Sequence, residues 1–406
     1  MRILTVDVGT GTQDIYLYDS RLDIENGFKL VVPSPTMMVH RQVKRATQQG
    51  KSIALTGVTM GGGPSHWAVR DHASAGFKVY ATPEAARTFD DNLDFVRSQG
   101  IEVVSEDEIK QLPESVRRYE LRDFDFKAIA QAFKCFGVDL DDLDAVAVAV
   151  FDHGAAPADV SDRQFRFDYL DEHIRKKNRL SAFAFDAGEV PTIMTRLQAV
   201  VDSAEGFDCP LVVMDTAPAA VLGATLDSKV RARERVMITN IGNFHTMAFR
   251  LGPSGIEGVF EHHTGLLTLN QLEELLHALA DGSLTHEEVF EDHGHGALIY
   301  NPEPLTFGHG DFDVIVTGPR RGMFRQVGAK RRRTGDEVQA PYTVSYPDTQ
   351  PPPLRPYFPA PFGDMMIVGC FGLLAAVADL HPNLASTIRA SLQGSGGSGT
   401  PPWEVE

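Results

Sequence analysis

Two short apolar runs separated by a polar turn open the chain. Residues 2 to 8 are mostly apolar, and a second apolar run begins at Ile15. The segment between them consists of turn formers: Gly9, Thr10, Gly11, Thr12, Gln13 and Asp14. Two strands joined by such a segment predict a tight β-hairpin over residues 2 to 18.

Alternating strand and helix patterns cover residues 40 to 110. Three apolar runs between residues 52 and 104 predict strands, and apolar residues at helical spacing lie between these runs. The second of the two intervening helices is expected to open at Pro83 and to stop at Gly100. Strand, helix, strand, helix, strand predicts a small parallel sheet in a separate α/β unit.

The same patterns recur later in the chain. The uninterrupted apolar run from Ala145 to Val150 predicts a strand that is covered on both faces. Residues 235 to 251 predict a second hairpin, with Gly242 in its turn. Residues 313 to 317 predict another buried strand, which Gly318 follows.

These patterns divide the chain into predicted regions. Low-complexity glycine and serine near the end favour disorder there. The regions are a first lobe (1–155, with the inserted unit at about 40–110), a second lobe (156–318), an irregular Pro- and Arg-rich segment (319–362), a helix returning to the first lobe (363–390) and a disordered tail (393–406).

Composition restricts the possible partners. The net charge of −17 argues against nucleic acid or anionic membrane as a partner, since both select basic surfaces. The longest uncharged stretch, residues 365 to 378, is too short to cross a bilayer, and the N-terminus lacks a secretory pattern. Three scattered cysteines, Cys135, Cys209 and Cys370, are typical of a reducing cytoplasm. We therefore expect a cytoplasmic protein.

Both hairpin turns carry residues suited to phosphate. A polyphosphate needs backbone N–H groups that approach closely, which favours glycine, and a carboxylate or amide at the strand end holds water on Mg²⁺. The first turn offers Asp7, Gly9, Thr10, Gly11 and Thr12, and the second offers Asn240, Gly242 and Asn243. Either turn alone is also compatible with an ordinary hairpin.

The order of these motifs resembles that of the actin-like ATPase superfamily, which includes sugar kinases and heat-shock chaperones. Residues 7 to 12 resemble its first phosphate loop, 239 to 244 its second, and 314 to 319 its adenosine-contacting strand and loop. Residues 214 to 220 resemble the junction before the second loop, and 363 to 366 the segment that returns to the first domain.

The resemblance implies an α/β, two-lobed, ribonuclease H-like fold with a small inserted α/β unit. It places ATP and Mg²⁺ between the two turns, with Asp7 holding the metal ion through water. The residues that it assigns to the nucleotide are Gly9, Thr10, Gly11, Thr12, Gln13, Asn240, Gly242, Asn243 and Gly318.

More narrowly, the chain resembles a bacterial and archaeal branch of this superfamily. Some members of that branch carry the label of pyruvate formate-lyase activating protein. A radical-generating activase needs three closely spaced cysteines to ligate an iron–sulfur cluster, and Cys135, Cys209 and Cys370 are far apart. The sequence therefore argues against radical iron–sulfur chemistry.

Two further motifs suggest catalysis and acceptor binding. Asp152 follows a buried strand, where a carboxylate can act as a base or align a water, and His153 can do the same. The alternative is a helix-capping aspartate and a packing histidine. The glycines Gly61, Gly62 and Gly63 stand between a strand and a helix and either bind an acceptor substrate or form a tight turn.

The preferred hypothesis is an ATPase or phosphotransferase with an unidentified, small-molecule acceptor. A non-catalytic nucleotide sensor is the first alternative, because Asn240 replaces the usual aspartate and Pro319 a usual glycine. The second alternative is a metal-dependent enzyme. Its candidate ligands form a late cluster: Glu261, His262, His263, Glu291, Asp292, His293, His295 and His309. His245 in the second hairpin either faces the cleft or is a partly buried strand residue.

Overall fold

A computed structural model describes residues 1–157, 159–325, 352–394, 396 and 401–405. The chain forms two compact units. Unit 1 comprises residues 1–162, 183–219 and 369–406, and unit 2 comprises residues 163–182 and 220–368.

Sixteen strands are assigned in the described residues. They are β1 (Arg2–Val8), β2 (Thr12–Asp19), β3 (Phe28–Pro33), β4 (Ile53–Gly57), β5 (Val79–Ala81), β6 (Ile101–Val103), β7 (Arg117–Leu121), β8 (Ala145–Val150), β9 (Ala184–Asp186), β10 (Leu211–Asp215), β11 (Val236–Ile241), β12 (His245–Gly252), β13 (Gly255–His263), β14 (Gly296–Ile299), β15 (Val314–Thr317) and β16 (Pro356–Tyr357).

The helices that matter for the description below are numbered in chain order. They are α1 (Pro35–Gln48), α2 (Pro64–Ser74), α3 (Pro83–Ala86), α4 (Leu93–Ser98), α5 (Glu106–Gln111), α6 (Phe126–Lys134), α7 (Asp162–Lys176), α8 (Thr195–Ser203), α9 (Thr216–Ala224), α10 (Ser228–Arg231), α11 (Leu269–Asp281), α12 (His286–Glu291), α13 (Val368–Leu380) and α14 (Pro382–Leu392).

The main sheet of unit 1 has the strand order β3-β2-β1-β8-β10-β9. Strands β1 and β2 form the predicted antiparallel hairpin, which ends at the pair Val8 and Gln13. Strand β8 is buried along its whole length, as its apolar run predicted. Because β1, β8 and β10 are parallel, their carboxyl ends lie at one edge of the sheet.

The sheet of unit 2 repeats this arrangement in the order β14-β13-β12-β11-β15-β16. Strands β11, β12 and β13 form an antiparallel meander, and β15 and β16 continue the sheet in parallel with β11. Unit 1 has the same order in β3-β2-β1-β8-β10. The duplicated order confirms the predicted α/β, ribonuclease H-like fold class.

The inserted unit is confirmed as a parallel sheet with its own apolar core, in the order β6-β5-β4-β7. Strand β7 lies beyond the predicted limit near residue 110. The single helix predicted from Pro83 is wrong, because the chain breaks between α3 and α4. The side chain of Asn92 accepts hydrogen bonds from Asp94 N and Phe95 N and so caps a new helix.

The boundary between the units differs from the predicted one at residue 156. Residues 183–219 return to unit 1, because β10 pairs in parallel with β8 and then with β9. The predicted helix over 363–390 is two helices, and Pro382 starts the second.

Two predictions fall partly outside the described residues. The irregular segment over 319–362 is described only at 319–325 and 352–362. Of the tail over 393–406, residues 395, 397–400 and 406 lie outside the description, and residues 402–404 form a short 3₁₀ helix. Within the described part of the chain, each helix is too short or too polar to span a bilayer.

Candidate functional site

Two carboxylates mark the carboxyl edge of the unit 1 sheet. Asp7 lies near the end of β1 and Asp215 is the last residue of β10, with β8 between the two strands. The hydroxyl of Thr216 donates a hydrogen bond of 2.6 Å to Asp7 Oδ1. Ligands of open α/β sheets bind at this kind of edge.

The environment of Asp7 favours a cation. Burial raises the pKa of the Asp7 carboxyl to about 6, although the hydrogen bond from Thr216 lowers it, and the negative charge of Asp215 raises it further. A cation held between the two carboxylates would offset both the burial and the repulsion. The pair therefore suits a hydrated divalent ion.

Hydrogen bonds within the first turn and from Ser34 fix the backbone of residues 9 to 12. The N–H of Gly9 donates to Thr12 O at 2.9 Å. Ser34 donates from Oγ to Thr10 O at 2.6 Å and from its N–H to Gly11 O at 3.2 Å. The N–H groups of Thr10 and Gly11 donate to no other described residue, so they are available to a phosphate.

Two neighbours of this turn have structural roles. Gln13 is buried, and its Nε2 donates to Pro33 O at 3.2 Å, so it ties β2 to β3. Helix α13 starts close to Asp7: Gly369, in its first turn, lies so near that a β-carbon there would overlap Asp7 Oδ2. The approach of a helix N-terminus stabilises a negative charge there.

The second turn has the same construction within unit 2. The N–H of Gly242 donates to His245 O at 2.9 Å, and Asn240 stands two residues before Gly242, as Asp7 does before Gly9. Asn243 lies in the turn and is half-buried. That both turns bind one nucleotide stays a prediction.

Gly318 packs directly against the second turn. Its φ is +92°, and a β-carbon there would overlap Ile241 O and lie 2.6 Å from Asn240 Oδ1. Glycine is therefore required at this position by both conformation and space. The predicted strand before Gly318 is present as β15, and the predicted nucleotide contact of Gly318 stays a prediction.

We expect Gly318→Ala to destabilise unit 2 by about 2 kcal/mol or more, because strain at a positive φ adds to the overlap with Ile241 O. Scanning calorimetry checks the shift in the melting temperature. Gly322→Ala is the control, since a β-carbon there meets no atom within 4 Å. Equal melting temperatures for the two variants would contradict the expected strain.

Asp152 is placed as a capping residue. Its buried carboxylate accepts hydrogen bonds from Gly154 N at 2.8 Å, from Arg196 N at 2.9 Å and from Leu197 N at 2.8 Å. The last two donors belong to the first turn of α8, so the carboxylate caps that helix. His153 is exposed. This geometry favours the structural alternative, and a catalytic role for either residue stays a prediction.

The glycine loop before α2 packs on a buried ion pair. Gly61 N donates to both oxygens of Asp123 at 3.1 Å, and Arg196 Nε donates to Asp123 Oδ2 at 2.6 Å. A β-carbon at Gly61 would lie 2.6 Å from Arg196 Nη2, and Gly63 has a φ of +61°. Packing thus accounts for these glycines, and acceptor binding by Gly61, Gly62 and Gly63 stays a prediction.

The late histidines are only partly brought together. The ligand atoms of His245, His263 and His295 all lie within 4.8 Å of one another. The buried carboxylate of Glu261 lies next to them, with its Oε1 2.9 Å from His245 Nδ1. The other predicted residues lie outside this group of three: His262, Glu291, Asp292, His293 and His309.

Burial and charge control the protonation of this cluster. Burial alone raises the pKa of the Glu261 carboxyl, but Arg166, His295 and His245 together hold it well below its usual range. Burial lowers the pKa of His295 to about 3 and also lowers the pKa of His263. At neutral pH the Glu261 carboxylate therefore lies beside neutral imidazoles of His263 and His295.

Sequence reasoning missed two groups of this structure as site residues. Asp215 is the last residue of a buried strand, a position like the one that singled out Asp152, but the sequence analysis assigns it only to a strand–helix junction. Arg196 and Asp123 are 73 positions apart, and neither belongs to a recognisable motif. No local pattern pairs them.

The duplicated sheets and their glycine turns define the fold class of this protein. In each unit a strand carrying a carboxylate or amide near its end leads into a glycine turn, and parallel strands continue the sheet. This is the fold of the actin-like ATPase superfamily, as the order of motifs indicated.

Within that class, the chain belongs to the family described as "Putative pyruvate format-lyase activating enzyme (DUF1786)", which it matches over residues 60–323. The branch indicated by the sequence is thereby confirmed. The matched range includes the second turn and the three clustered histidines. Comparison with curated proteins gives no match.

Several solved structures have a distant similarity to the chain. An exopolyphosphatase-like protein is 11% identical, with 72% of this chain and 57% of that one covered and a TM-score of 0.18. The Aquifex aeolicus PPX-GPPA enzyme is 9% identical, with 67% of this chain and 55% of that one covered and a TM-score of 0.19. Nucleotide-free acetone carboxylase is 10% identical, with 64% of this chain and 45% of that one covered and a TM-score of 0.21. The matches thus span about half of those chains, and at these TM-scores the fold assignment rests on the strand order.

The cysteines are distributed over unit 1. Cys135 is exposed, Cys209 is half-buried and Cys370 is buried. Among the described residues, the cluster whose ligand atoms lie close enough to share a metal ion consists of three histidines and contains no cysteine. The prediction against iron–sulfur chemistry stays a prediction.

Proposed function

We propose that this chain binds ATP with Mg²⁺ at the carboxyl edge of unit 1 and either hydrolyses it or transfers its phosphoryl group to a small-molecule acceptor. The observation that carries the proposal is the combination of two features. The N–H groups of Thr10 and Gly11 are available, and the carboxylates of Asp7 and Asp215 flank the same edge.

Each feature serves one part of the ligand. Backbone N–H groups in a glycine turn suit the phosphate oxygens, which carry the negative charge. Mg²⁺ keeps most of its water and is usually held by one or two carboxylates together with phosphate oxygens. Asp7 and Asp215 would hold that hydrated ion, which would neutralise charge on the phosphates.

The contacts of this site support the positioning of a phosphoryl group more clearly than they support proton transfer by Asp152. Asp152 accepts three backbone hydrogen bonds, so its carboxylate is committed to α8. Phosphoryl transfer depends mainly on alignment and on charge stabilisation. A turn with carboxylates beside it therefore supports the reaction without a dedicated base.

Titration of the purified chain with ATP tests the proposal directly. We expect saturable binding that strengthens with Mg²⁺, and we expect Gly9→Val to weaken it at least about tenfold, because a β-carbon at residue 9 already lies 3.1 Å from Thr12 O. Isothermal calorimetry gives the affinities. Gly188→Val is the matched control, since the space around Gly188 is open.

Two outcomes would contradict the proposal. One is the absence of binding to any nucleotide, with or without Mg²⁺. The other is equal affinity of wild type and the Gly9→Val variant.

A second candidate function is nucleotide binding without turnover. The capping role of Asp152 favours it, because that carboxylate was the predicted base. Measurement of ADP release separates the two candidates: binding without ADP release or acceptor phosphorylation supports a sensor. The cytoplasmic location and the exclusion of nucleic acid and membrane partners stay predictions.

A further inference from the structure

Three histidines meet at one end of the unit 2 sheet. His245 starts β12 and pairs with His263, the last residue of β13. His295 precedes β14, and its N–H donates to Glu261 O at 2.9 Å. The centroids of the three imidazole rings are 4.7 to 5.2 Å apart. Three adjacent strands therefore present their imidazoles to one another.

We infer that His245, His263 and His295 bind one divalent transition-metal ion, such as Zn²⁺, with a fourth coordination position open to water. The site lies wholly within unit 2 and does not depend on nucleotide binding. Imidazole nitrogen is a preferred ligand of zinc and of its neighbours in the first transition row.

The separations suit a small ion. Zinc–nitrogen bonds of 2.0–2.1 Å place tetrahedral ligands about 3.3 Å apart. The three ligand atoms here lie within 4.8 Å of one another, so small side-chain rotations complete the site. His295 is buried, whereas His245 and His263 are only half-buried, which leaves one side accessible to water.

A second layer of side chains supports the ligands, as is usual for metal-bound histidines. Glu261 Oε1 lies 2.9 Å from His245 Nδ1 and so fixes the orientation of that ring. Glu261 Oε2 in turn accepts a hydrogen bond of 2.9 Å from Arg166 Nε. Glu261 and Arg166 are both almost fully buried, so this carboxylate is fixed in place.

His295 has an unmet requirement that a metal ion would satisfy. It is 4% exposed, and its buried Nδ1 has no hydrogen-bond partner among the described residues. A buried polar atom left without a partner costs free energy, so native proteins usually provide one.

The loop before β14 fixes the backbone of His295. His293 has a φ of +64°, which is unusual for a residue other than glycine. A β-carbon at Gly294 would lie 2.5 Å from atoms of both His262 and Val289, so glycine is needed for this close packing. A strained and tightly packed backbone is often found where a side chain must be held at a functional site.

Metal loading of the full-length chain tests the inference. The protein is stripped with a chelator, dialysed, and loaded with Co²⁺ or Zn²⁺ alone. We expect one ion per chain by elemental analysis, and for cobalt the intense visible bands of a four-coordinate site. A wild-type chain that retains neither ion and lacks these bands would overturn the inference, leaving only a packed cluster of histidines.

Variants locate the site and test its second layer. His263→Ala is expected to lose the bound ion and the cobalt bands, whereas the control His309→Ala, at an exposed histidine outside the cluster, keeps both. Glu261→Gln is expected to weaken zinc binding about 10- to 100-fold. Circular dichroism verifies that each variant is folded. Retention of one ion by a folded His263→Ala chain would contradict the assignment.

Azide tests the open position. Added azide should shift the cobalt bands of the wild-type chain, because an exchangeable water leaves room for an anion. Unchanged bands would refute the open fourth position. The Asp7→Asn variant should retain the full cobalt spectrum, which separates this inference from the nucleotide proposal.

Discussion

Replacing Asp7 with asparagine is expected to reduce Mg²⁺-dependent ATP turnover at least about a hundredfold, because the substitution removes the charge that would hold the hydrated metal ion. The side chain keeps its size, and Asn Oδ1 can still accept the hydrogen bond from Thr216. Fold and contacts should therefore survive. Steady-state ADP release at saturating Mg²⁺ measures the effect.

The same substitution is expected to stabilise the metal-free protein above pH 6. Burial raises the pKa of Asp7 to about 6, whereas an unfolded aspartate has a pKa near 3.9, so the folded state holds the proton more tightly. Wild-type stability therefore falls as the pH rises from about 4 to about 6. Asparagine does not ionise and avoids that loss.

The size of the gain follows from the shift. Two pKa units correspond to about 3 kcal/mol, and partial exposure of Asp7 to water reduces this, so we expect about 1 to 2 kcal/mol at pH 8 and none near pH 4. Thermal unfolding in a chelator at both pH values measures it. Asp144→Asn, at the opposite edge of the same sheet, is the control.

A variant that keeps full turnover would refute the metal-holding role of Asp7. An inactive variant whose stability gain over wild type is no larger at pH 8 than at pH 4 would refute the raised pKa of Asp7 and leave its metal-holding role intact. Activity and stability thus test two separate statements about one carboxylate.

The parts of the fold that the sequence predicts correctly are those marked by a pattern within a short stretch of residues. Both hairpins and the buried strand β8 follow from short apolar runs and turn residues, and their order indicated the superfamily. Helix α7 was missed because its apolar positions are sparse among charged residues. Strand β3 was missed because it is half-exposed and lacks a strict alternation.

The unit boundary could not be read in the same way. Residues 183–219 join unit 1 through strand pairing between β8 and β10, and pairing partners more than 60 positions apart leave no local trace. The candidate sites show the same limit. Asp7 and the glycine turn were predicted because they are contiguous, whereas the partnership of Asp7 with Asp215 exists only in the folded sheet.

The histidine cluster could be predicted from the sequence only in part. Sequence drew attention to the late histidines as a group but could not select among them. The pairing of His245 with His263 depends on the register of β12 and β13, and alternation along β13 sends His262 to the opposite face. Its Nε2 lies 2.9 Å from Asp292 O instead.

The buried pair of Arg166 and Glu261 should contribute strongly to the stability of unit 2. We expect Arg166→Met to lower the free energy of unfolding by about 3 to 5 kcal/mol, because the substitution leaves the Glu261 carboxylate buried without its partner. Calorimetry in a chelator, at neutral pH, measures the loss without a contribution from bound metal.

A second substitution identifies the cause of that loss. In the double variant Arg166→Met, Glu261→Gln the uncompensated charge is gone, so most of the stability should return if charge is responsible. If lost packing of the arginine side chain is responsible, the double variant stays as unstable as the single one. Arg175→Met, on the same helix, removes a solvent-exposed pair with Asp171 and should cost far less stability. The comparison attributes the effect to burial, since both arginines lie on α7 and both bind a carboxylate.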